Sequence, residues 1–355
     1  MTKILVVSNM YPSESSKSFG VFVKNQVEDL IGKGIEVDVI AIDDHRMNKK
    51  AVLKKYFKWL NKLAGNFFLK GNTYDVVHCH YVFPSGLFGV LYKLIFRKKL
   101  VVTAHGGDIN NMAKRNKVFR IMTKIILKCA DHVIAVSEVL EETIITDYNI
   151  PKDKLSILNM GVNRDVFFPN PNPNSSSLNK VLFVGNIIRD KGVMEIIEAI
   201  ERNVELRNLE FTMVGEKKDL EFFELVSRKI KKSNITNMSF VGARQQSELA
   251  KLMNNSQVLI LPSYTEGFGL VALEAMSCNL FVIGTEVGGL KALLSNACGL
   301  LIKPRSAEDL AVALSYAFDN INITEIEEIK VNGLKKAEMN NSNLVVGRLI
   351  RIYEN

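Results

Sequence analysis

The stretch Val258-Leu259-Ile260-Leu261-Pro262-Ser263-Tyr264-Thr265-Glu266-Gly267-Phe268-Gly269-Leu270-Val271-Ala272-Leu273-Glu274-Ala275 reads as a strand, a glycine-rich turn and the start of a helix. The run from Val258 to Leu261 is short, continuous and apolar, as a strand buried on both faces must be. Gly267-Phe268-Gly269 lets the backbone come close to a ligand, and a helix starting beside it turns free N–H groups and its positive dipole end toward a phosphate. Glu266 on the turn and Glu274 on the helix can then accept hydrogen bonds from hydroxyls at the two ends of such a ligand. A strand, loop and helix with one exposed and one helical glutamate would also produce this pattern without a ligand.

Outward from this unit, β-branched runs alternate with helical patterns along the whole chain. Ile4 to Val7, Val37 to Ile42, Val76 to His78, Leu100 to Ala104, His132 to Val136 and Leu155 to Leu158 predict buried parallel strands joined by crossover helices. The pattern stops at Phe168-Pro169-Asn170-Pro171-Asn172-Pro173-Asn174-Ser175-Ser176-Ser177, which can form neither a helix nor a central strand. It restarts with Val181 to Val184, Glu210 to Val214, Met238 to Val241, Val258 to Leu261, Phe281 to Ile283 and Leu300 to Ile302. The reading is α/β, with two doubly wound, Rossmann-like parallel-sheet domains and a cleft expected between the carboxyl ends of their sheets. The predicted bounds are 1-163 for the first domain, 164-179 for a linker, 180-338 for the second domain and 339-355 for a C-terminal helix that packs back toward the first.

With 355 residues, 47% of them hydrophobic, the chain can bury two cores. No run of about 18 apolar residues predicts a transmembrane helix. Ile4 to Val7 is too short for a signal peptide core and no small-residue cleavage site follows, so a cytoplasmic protein is expected. Cys79, Cys129, Cys278 and Cys298 are far apart and signal reduced core cysteines, with no disulfide framework and no zinc site. The net charge of +8 divides unevenly, +9 in residues 1–163 and −1 in residues 164–355. Seven lysines between Lys49 and Lys70 alternate with apolar residues that include the only tryptophan, Trp59, and Lys93, Arg97, Lys98 and Lys99 extend the basic surface. Such a helix suits an anionic membrane surface, or packs its apolar stripe on its own domain. No nucleic-acid motif or aromatic stacking pattern accompanies the charge.

In the second domain, Gly185-Asn186 ends the first strand, and Arg189-Asp190-Lys191-Gly192 precedes a helix over Val193 to Ile200. Basic residues at a helix N-terminus oppose its dipole unless an anion sits between them, so Arg189 and Lys191 are candidates for a diphosphate, or else line a solvated turn. Neither a Walker loop nor a Gly-x-Gly-x-x-Gly fingerprint is present, which argues against ATPase and dehydrogenase functions. In the first domain, the strand ending at Ala104 delivers His105-Gly106-Gly107-Asp108 to the ligand-binding end of the sheet, though His105 could equally be a structural loop histidine. Gly20, in the long connection from Asn9 to Phe22, brings backbone near a phosphate from the facing wall. His78 and His80 are read as pointing to opposite sides of their strand, which argues against a zinc pair. Ser137 either faces the cleft or caps the next helix.

Together these pieces resemble glycosyltransferase family 4, the retaining, nucleotide-sugar-dependent transferases of GT-B fold. The resemblance rests on Tyr11-Pro12 with Phe19-Gly20-Val21-Phe22, Ala104-His105-Gly106-Gly107-Asp108, Leu158-Asn159-Met160-Gly161-Val162-Asn163, Phe183-Val184-Gly185-Asn186 with Arg189-Asp190-Lys191-Gly192, and Glu266-Gly267-Phe268-Gly269 with Glu274-Ala275. Its opening and its Gly185-Asn186 pair are most similar to members that build bacterial surface polysaccharides, teichuronic acid enzymes among them. The resemblance implies that Glu274 holds the donor's ribose hydroxyls and Glu266 the donor sugar's hydroxyls. It further implies that the backbone of Gly267, Phe268, Gly269 and Leu270 meets sugar and phosphate, and that Lys191 with a neighbouring arginine neutralises the diphosphate. Many members have arginine where this chain has Asn186, so Arg189 must supply that charge. His105 is then expected by the sugar on the acceptor side, with Asp108 and Ser137 nearby. Gly20 would face the distal phosphate and Gly242 the base, with Arg244 beside it.

Breaking the sugar–phosphate bond leaves negative charge on the diphosphate, which Arg189, Lys191 and the helix N-terminus at Gly269 would stabilise in a site shielded by domain closure. No Asp-x-Asp motif occurs, so neither metal nor cofactor is expected, and the donor, a UDP-sugar in preference to a GDP-sugar, is a substrate. The implied acceptor is a glycan or lipid-linked glycan, with residues 49-70 against an anionic membrane. An epimerase or phosphorylase of the same fold, or a noncatalytic carbohydrate-binding or scaffold protein, is the alternative.

Overall fold

The computed structural model describes residues 2–14, 19–44, 46, 48–170 and 179–355. The chain forms two compact units, one from Met1–Met160 with Ser342–Asn355 and the other from Gly161–Asn341. In the first, β1 (Lys3–Ser8), α1 (Val21–Gly32), β2 (Glu36–Ala41), α2 (Lys49–Lys70), β3 (Val76–His80), α3 (Ser85–Phe96), β4 (Lys99–Ala104), α4 (Lys117–Cys129), β5 (His132–Ala135), α5 (Glu138–Tyr148) and β6 (Leu155–Ile157) alternate. The strands pair in parallel in the order β2-β1-β3-β4-β5-β6. Side chains alternate across each strand, so Ile4, Val6, Val76, Val101 and Ile134 share one face and pack against Val23, Val27 and Leu30 of α1. Side-chain oxygens of Asn48, Asn116 and Ser137 accept the free N–H groups that begin α2, α4 and α5.

The second unit repeats the scheme with β7 (Lys180–Val184), α6 (Val193–Arg202), β8 (Glu210–Val214), α7 (Leu220–Lys232), β9 (Met238–Phe240), α8 (Gln246–Asn254), β10 (Val258–Leu261), α9 (Leu270–Ser277), β11 (Phe281–Thr285), α10 (Gly288–Leu294), β12 (Leu300–Ile302), α11 (Ala307–Phe318) and α12 (Ile323–Met339). Its parallel order is β12-β11-β10-β7-β8-β9. Winding reverses between β1 and β3 in one sheet and between β7 and β10 in the other, and the loops leaving these strands flank the crevice where such sheets take ligands. The last helix, α13 (Ser342–Glu354), returns to the first unit, where Val345, Val346, Leu349 and Tyr353 join the core formed by β1 and α1. Among the described residues no helix is long and apolar enough to cross a membrane.

Three bounds differ from the expectation: residues 161–163, assigned to the first domain, and 339–341, assigned to the C-terminal helix, belong to the second unit, and so does part of the linker. Residues 164–168, assigned to the linker, belong to the second unit: Phe167 is fully buried and its carbonyl accepts the Ser277 hydroxyl at 2.5 Å, while Asn254 donates to the Phe168 carbonyl at 3.0 Å. Two apolar residues before a proline-rich run had been counted with that run. The rest of the expected linker that can be placed is Pro169, Asn170 and Asn179, since residues 171–178 lie outside the described residues.

Candidate functional site

In the second unit the adjacency of β7 and β10 brings two loops together that are far apart in sequence. The turn Arg189–Lys191 follows β7, and Pro262 to Gly269 follows β10. Three contacts join them. The Tyr264 N–H donates to the Asp190 carbonyl at 2.8 Å, Gly192 lies so close to Pro262 that a methyl group there would sit 2.0 Å from its carbonyl oxygen, and Lys191 Nζ meets Glu266 Oε2 at 2.7 Å. The Ser263 hydroxyl donates to the same carboxylate oxygen at 3.2 Å, and Thr285, at the end of β11, donates to the Ser263 carbonyl at 2.6 Å. Lys191 and Glu266 are each about a quarter exposed, so the pair stands at the rim of the crevice. The guanidinium of Arg189 lies 5.4 Å from the centre of the Phe222 ring, and its charge also acts on Tyr264 in the other loop. Asn186 uses its backbone carbonyl to close the turn to Ile188.

Gly269 precedes α9 with φ 92°, a left-handed conformation that starts the helix abruptly beside Glu266. The first N–H groups of α9 have no partner within the helix and face the turn. Phe268 and Leu270 rest against the apolar core beneath. The turn is held from behind by the Gly289 N–H, which donates to the carbonyls of Glu266 and Gly267 at 3.4 and 3.2 Å. Gly242 follows β9, and its carbonyl accepts the Gly215 N–H at 3.1 Å. Arg244, two residues on, is exposed.

Glu274, on α9, is 5% exposed. Burial pushes its carboxyl up to about 8, against the opposing pull of a hydrogen bond with Gln246 at the start of α8. The folded protein therefore holds a proton that the unfolded chain releases above its ordinary 4.5. Stability from this group is intact below pH 4.5 and lost as pH rises toward 8, a difference of roughly 3–5 kcal/mol. Glu274→Gln should match the wild type in urea unfolding at pH 5 and exceed it at pH 9. A gap that does not widen with pH would exclude a buried, protonated carboxyl.

In the first unit, Gly20 caps α1 at φ 70° with its Cα against the Met10 backbone, and the ring of Phe22 two residues on lies 4.9 Å from His105. His105 also stacks near Tyr81 and places Nε2 3.1 Å from Nδ1 of His80. Burial, with the second imidazole beside it, holds His105 well below the ordinary histidine range and therefore neutral. His78 and His80 do not point to opposite sides. Residues two apart in a strand share a face, and the rings are 4.3 Å apart. His78 bonds Tyr353 and Thr103, both at 2.7 Å, and among the described residues no group of three or more His, Cys, Asp or Glu side chains is placed to hold a metal ion.

Two acceptor-side expectations acquire other roles. Asp108 is 2% exposed and accepts the N–H groups of Val82, His105 and Ile109, at 2.8, 3.1 and 3.2 Å, so its carboxylate fixes the loop that carries His105. Ser137 caps α5 through Leu140, the alternative its sequence context had left open. Of the expected donor residues the structure joins Lys191 to Glu266 directly and sets both at the loop before α9, with Glu274 buried in that helix. Sequence reasoning missed Ser263, Thr285, Tyr264, Gln246 and the pair Gly288-Gly289. Only the last had a usable signal, two adjacent glycines just after a strand.

The chain was compared with known proteins. The family described as "Glycosyltransferase Family 4" matches residues 19–166, and "Glycosyl transferases group 1" matches residues 166–328. An uncharacterized glycosyltransferase of Methanocaldococcus jannaschii is 29% identical over 90% of this chain and 89% of its own. TuaC of Bacillus subtilis, named as a glycosyltransferase of teichuronic acid biosynthesis, is 26% identical over 92% of each chain. Among solved structures, HepE of Anabaena in complex with UDP-glucose superposes with a TM-score of 0.80 over the full length of both chains at 17% identity, a likeness of fold. Two doubly wound sheets of this kind make up the GT-B fold. With a family 4 match on the first unit and a group 1 match on the second, the chain belongs to glycosyltransferase family 4.

Proposed function

We propose that the protein transfers a sugar from a nucleoside diphosphate sugar, a UDP-sugar, to a hydroxyl of a glycan or lipid-linked glycan in surface polysaccharide synthesis, with retention of anomeric configuration and without a metal ion. The observation that carries this reading is the Lys191–Glu266 ion pair beside the N-terminus of α9. The two charges hold each other in place. A diphosphate at the helix N-terminus would take over Lys191 as its counterion and release Glu266 to accept hydroxyls of the sugar. Charge then develops on the departing diphosphate where the lysine and the helix N–H groups already point. Neutral His105, on its loop fixed by Asp108, is suited to hydrogen-bond a sugar hydroxyl and not to hold a charge. The names of TuaC and of the UDP-glucose complex of HepE support the polysaccharide and UDP parts of the reading.

The test is nucleotide release from a panel of UDP-, GDP- and ADP-sugars without added metal, with and without a glycan acceptor. Release of UDP from one donor, with the sugar recovered on the acceptor as the same anomer, is expected. Epimerised donor without transfer, an inverted product, or dependence on added divalent metal would each refute the corresponding part.

A further inference from the structure

His80, the last residue of β3, is fully buried and has only one of its two ring nitrogens engaged. Its Nδ1 lies 3.1 Å from His105 Nε2, with the ring planes 24° apart, while its Nε2 has no hydrogen-bond partner among the described residues. His78, two residues earlier on the same face, shows the ordinary arrangement, with both nitrogens bonded to the Tyr353 and Thr103 hydroxyls. A buried ring nitrogen without a partner is uncommon and calls for a reason. The backbone beside it is costly as well. Tyr81 follows His80 at φ 68°, a left-handed conformation rare for a residue with a side chain, and its N–H donates to the Thr103 carbonyl at 2.9 Å. One carboxylate, that of Asp108, accepts the N–H of Val82 from this loop and that of His105 from the next, so the two loops are tied together with their imidazoles in contact.

The number of ring protons decides which imidazole donates. Burial keeps both rings neutral, with His80 pushed down to about 3 and His105 held well below the ordinary histidine range, so each carries a single ring proton. On Nε2 of His80 that proton would be a buried N–H with nothing to accept it, an arrangement rarer in folded proteins than an unused acceptor. On Nδ1 the same proton meets His105 Nε2. That nitrogen is then the bare one, and His105 keeps its own proton on Nδ1.

We propose that His80 is a positioning residue whose Nδ1–H bond to His105 Nε2 fixes His105 as the Nδ1–H tautomer, so that the partly exposed His105 offers a sugar hydroxyl a hydrogen-bond donor and no acceptor. The sugar contact rests on the nucleotide-sugar reading of the protein; the tautomer does not. The test is the two-bond ¹H–¹⁵N spectrum of the full chain with ¹⁵N-labelled histidine, which separates protonated from bare ring nitrogens, beside nucleotide release. In the wild type His105, assigned by the signal lost in His105→Gln, should show a proton on Nδ1 and none on Nε2. His80→Leu, which fills space without a hydrogen-bonding group, should turn that tautomer into a mixture and lower turnover by about 10- to 100-fold. His80→Asn, whose amide can donate from near the Nδ1 position, should recover both. A proton on His105 Nε2 in the wild type, or an unchanged tautomer in His80→Leu, would overturn the proposal. So would a loss of turnover that His80→Asn does not recover while both variants unfold at the wild-type temperature. If His80→Leu fails to fold, the wild-type spectrum still decides. That spectrum needs no donor, so silence from every nucleotide sugar would refute the donor reading, and the sugar contact with it, while leaving the hydrogen bond to be judged on the spectrum.

Discussion

Lys191→Ala should lower turnover by about 10²- to 10³-fold, the loss seen when one preorganised donor to a developing anion is removed. The same change should alter folding stability by about 1 kcal/mol or less, because an ion pair a quarter exposed is screened by water and salt. The two effects are separable because the lysine's folded-state partner, Glu266, keeps a second donor in Ser263 at 3.2 Å when the lysine is gone. Measuring nucleotide release beside urea unfolding decides the matter. Parallel loss of both would make Lys191 a structural residue. Lys191→Arg provides a graded control, since it keeps the charge but cannot place it on the same short path.

Gly288→Ala tests the other side of the same turn and should be among the most damaging single methyl groups in the second unit. At φ 48° an alanine is strained, and its Cβ would lie 1.8 Å from the Glu266 carbonyl oxygen, a backbone atom that cannot rotate away. The Glu266 turn must move, at a stability loss of about 3 kcal/mol. Donor binding should fall further than this loss explains, because Glu266 and the start of α9 shift together. Calorimetric titration with the donor at a temperature where the variant is still folded measures that excess. Gly347→Ala, at a position where the added Cβ meets nothing, is the control for the chemistry of the substitution. A Gly288→Ala protein that binds donor like wild type would show that the turn tolerates displacement.

Every strand of both sheets was legible, since a buried parallel strand reads as a short apolar, β-branched run and the crossover geometry extends the same spacing to the less buried edge strands β2, β6 and β9. The loops at their carboxyl ends were legible for the same reason: His105, Lys191 and Glu266 each follow a strand that could be recognised alone. What could not be read was which loops meet. Lys191 pairs with Glu266 because β7 lies beside β10, an order set by the whole sheet and not by either segment. The protonated state of Glu274 depends likewise on its burial in the assembled unit, against the opposing pull of Gln246 on α8. The histidine pair was misread for a different reason, an error about which strand residues share a face. Phe167 was lost to the linker because a buried aromatic just ahead of a proline-rich run looks locally like part of it.

The return of α13 to the first unit has a consequence for how the polypeptide acquires its shape as it is made. Val345, Val346, Leu349 and Tyr353 close the core around Ile4 and Val6, Tyr353 bonds His78 at 2.7 Å, and Lys99 reaches the Tyr353 carbonyl at 3.2 Å. All of these partners leave the ribosome well before the helix that completes them. The intervening segment carries its own closure, with Val162 paired to Asn341 and its N–H on the Asn340 carbonyl at 2.9 Å, so it can settle as an insertion while its host is unfinished. Synthesis is vectorial, and domains ordinarily fold in the order they emerge. Here the segment up to Met160 must wait for residues 342–355, which are made after the whole second unit, with part of its apolar interior open in the meantime.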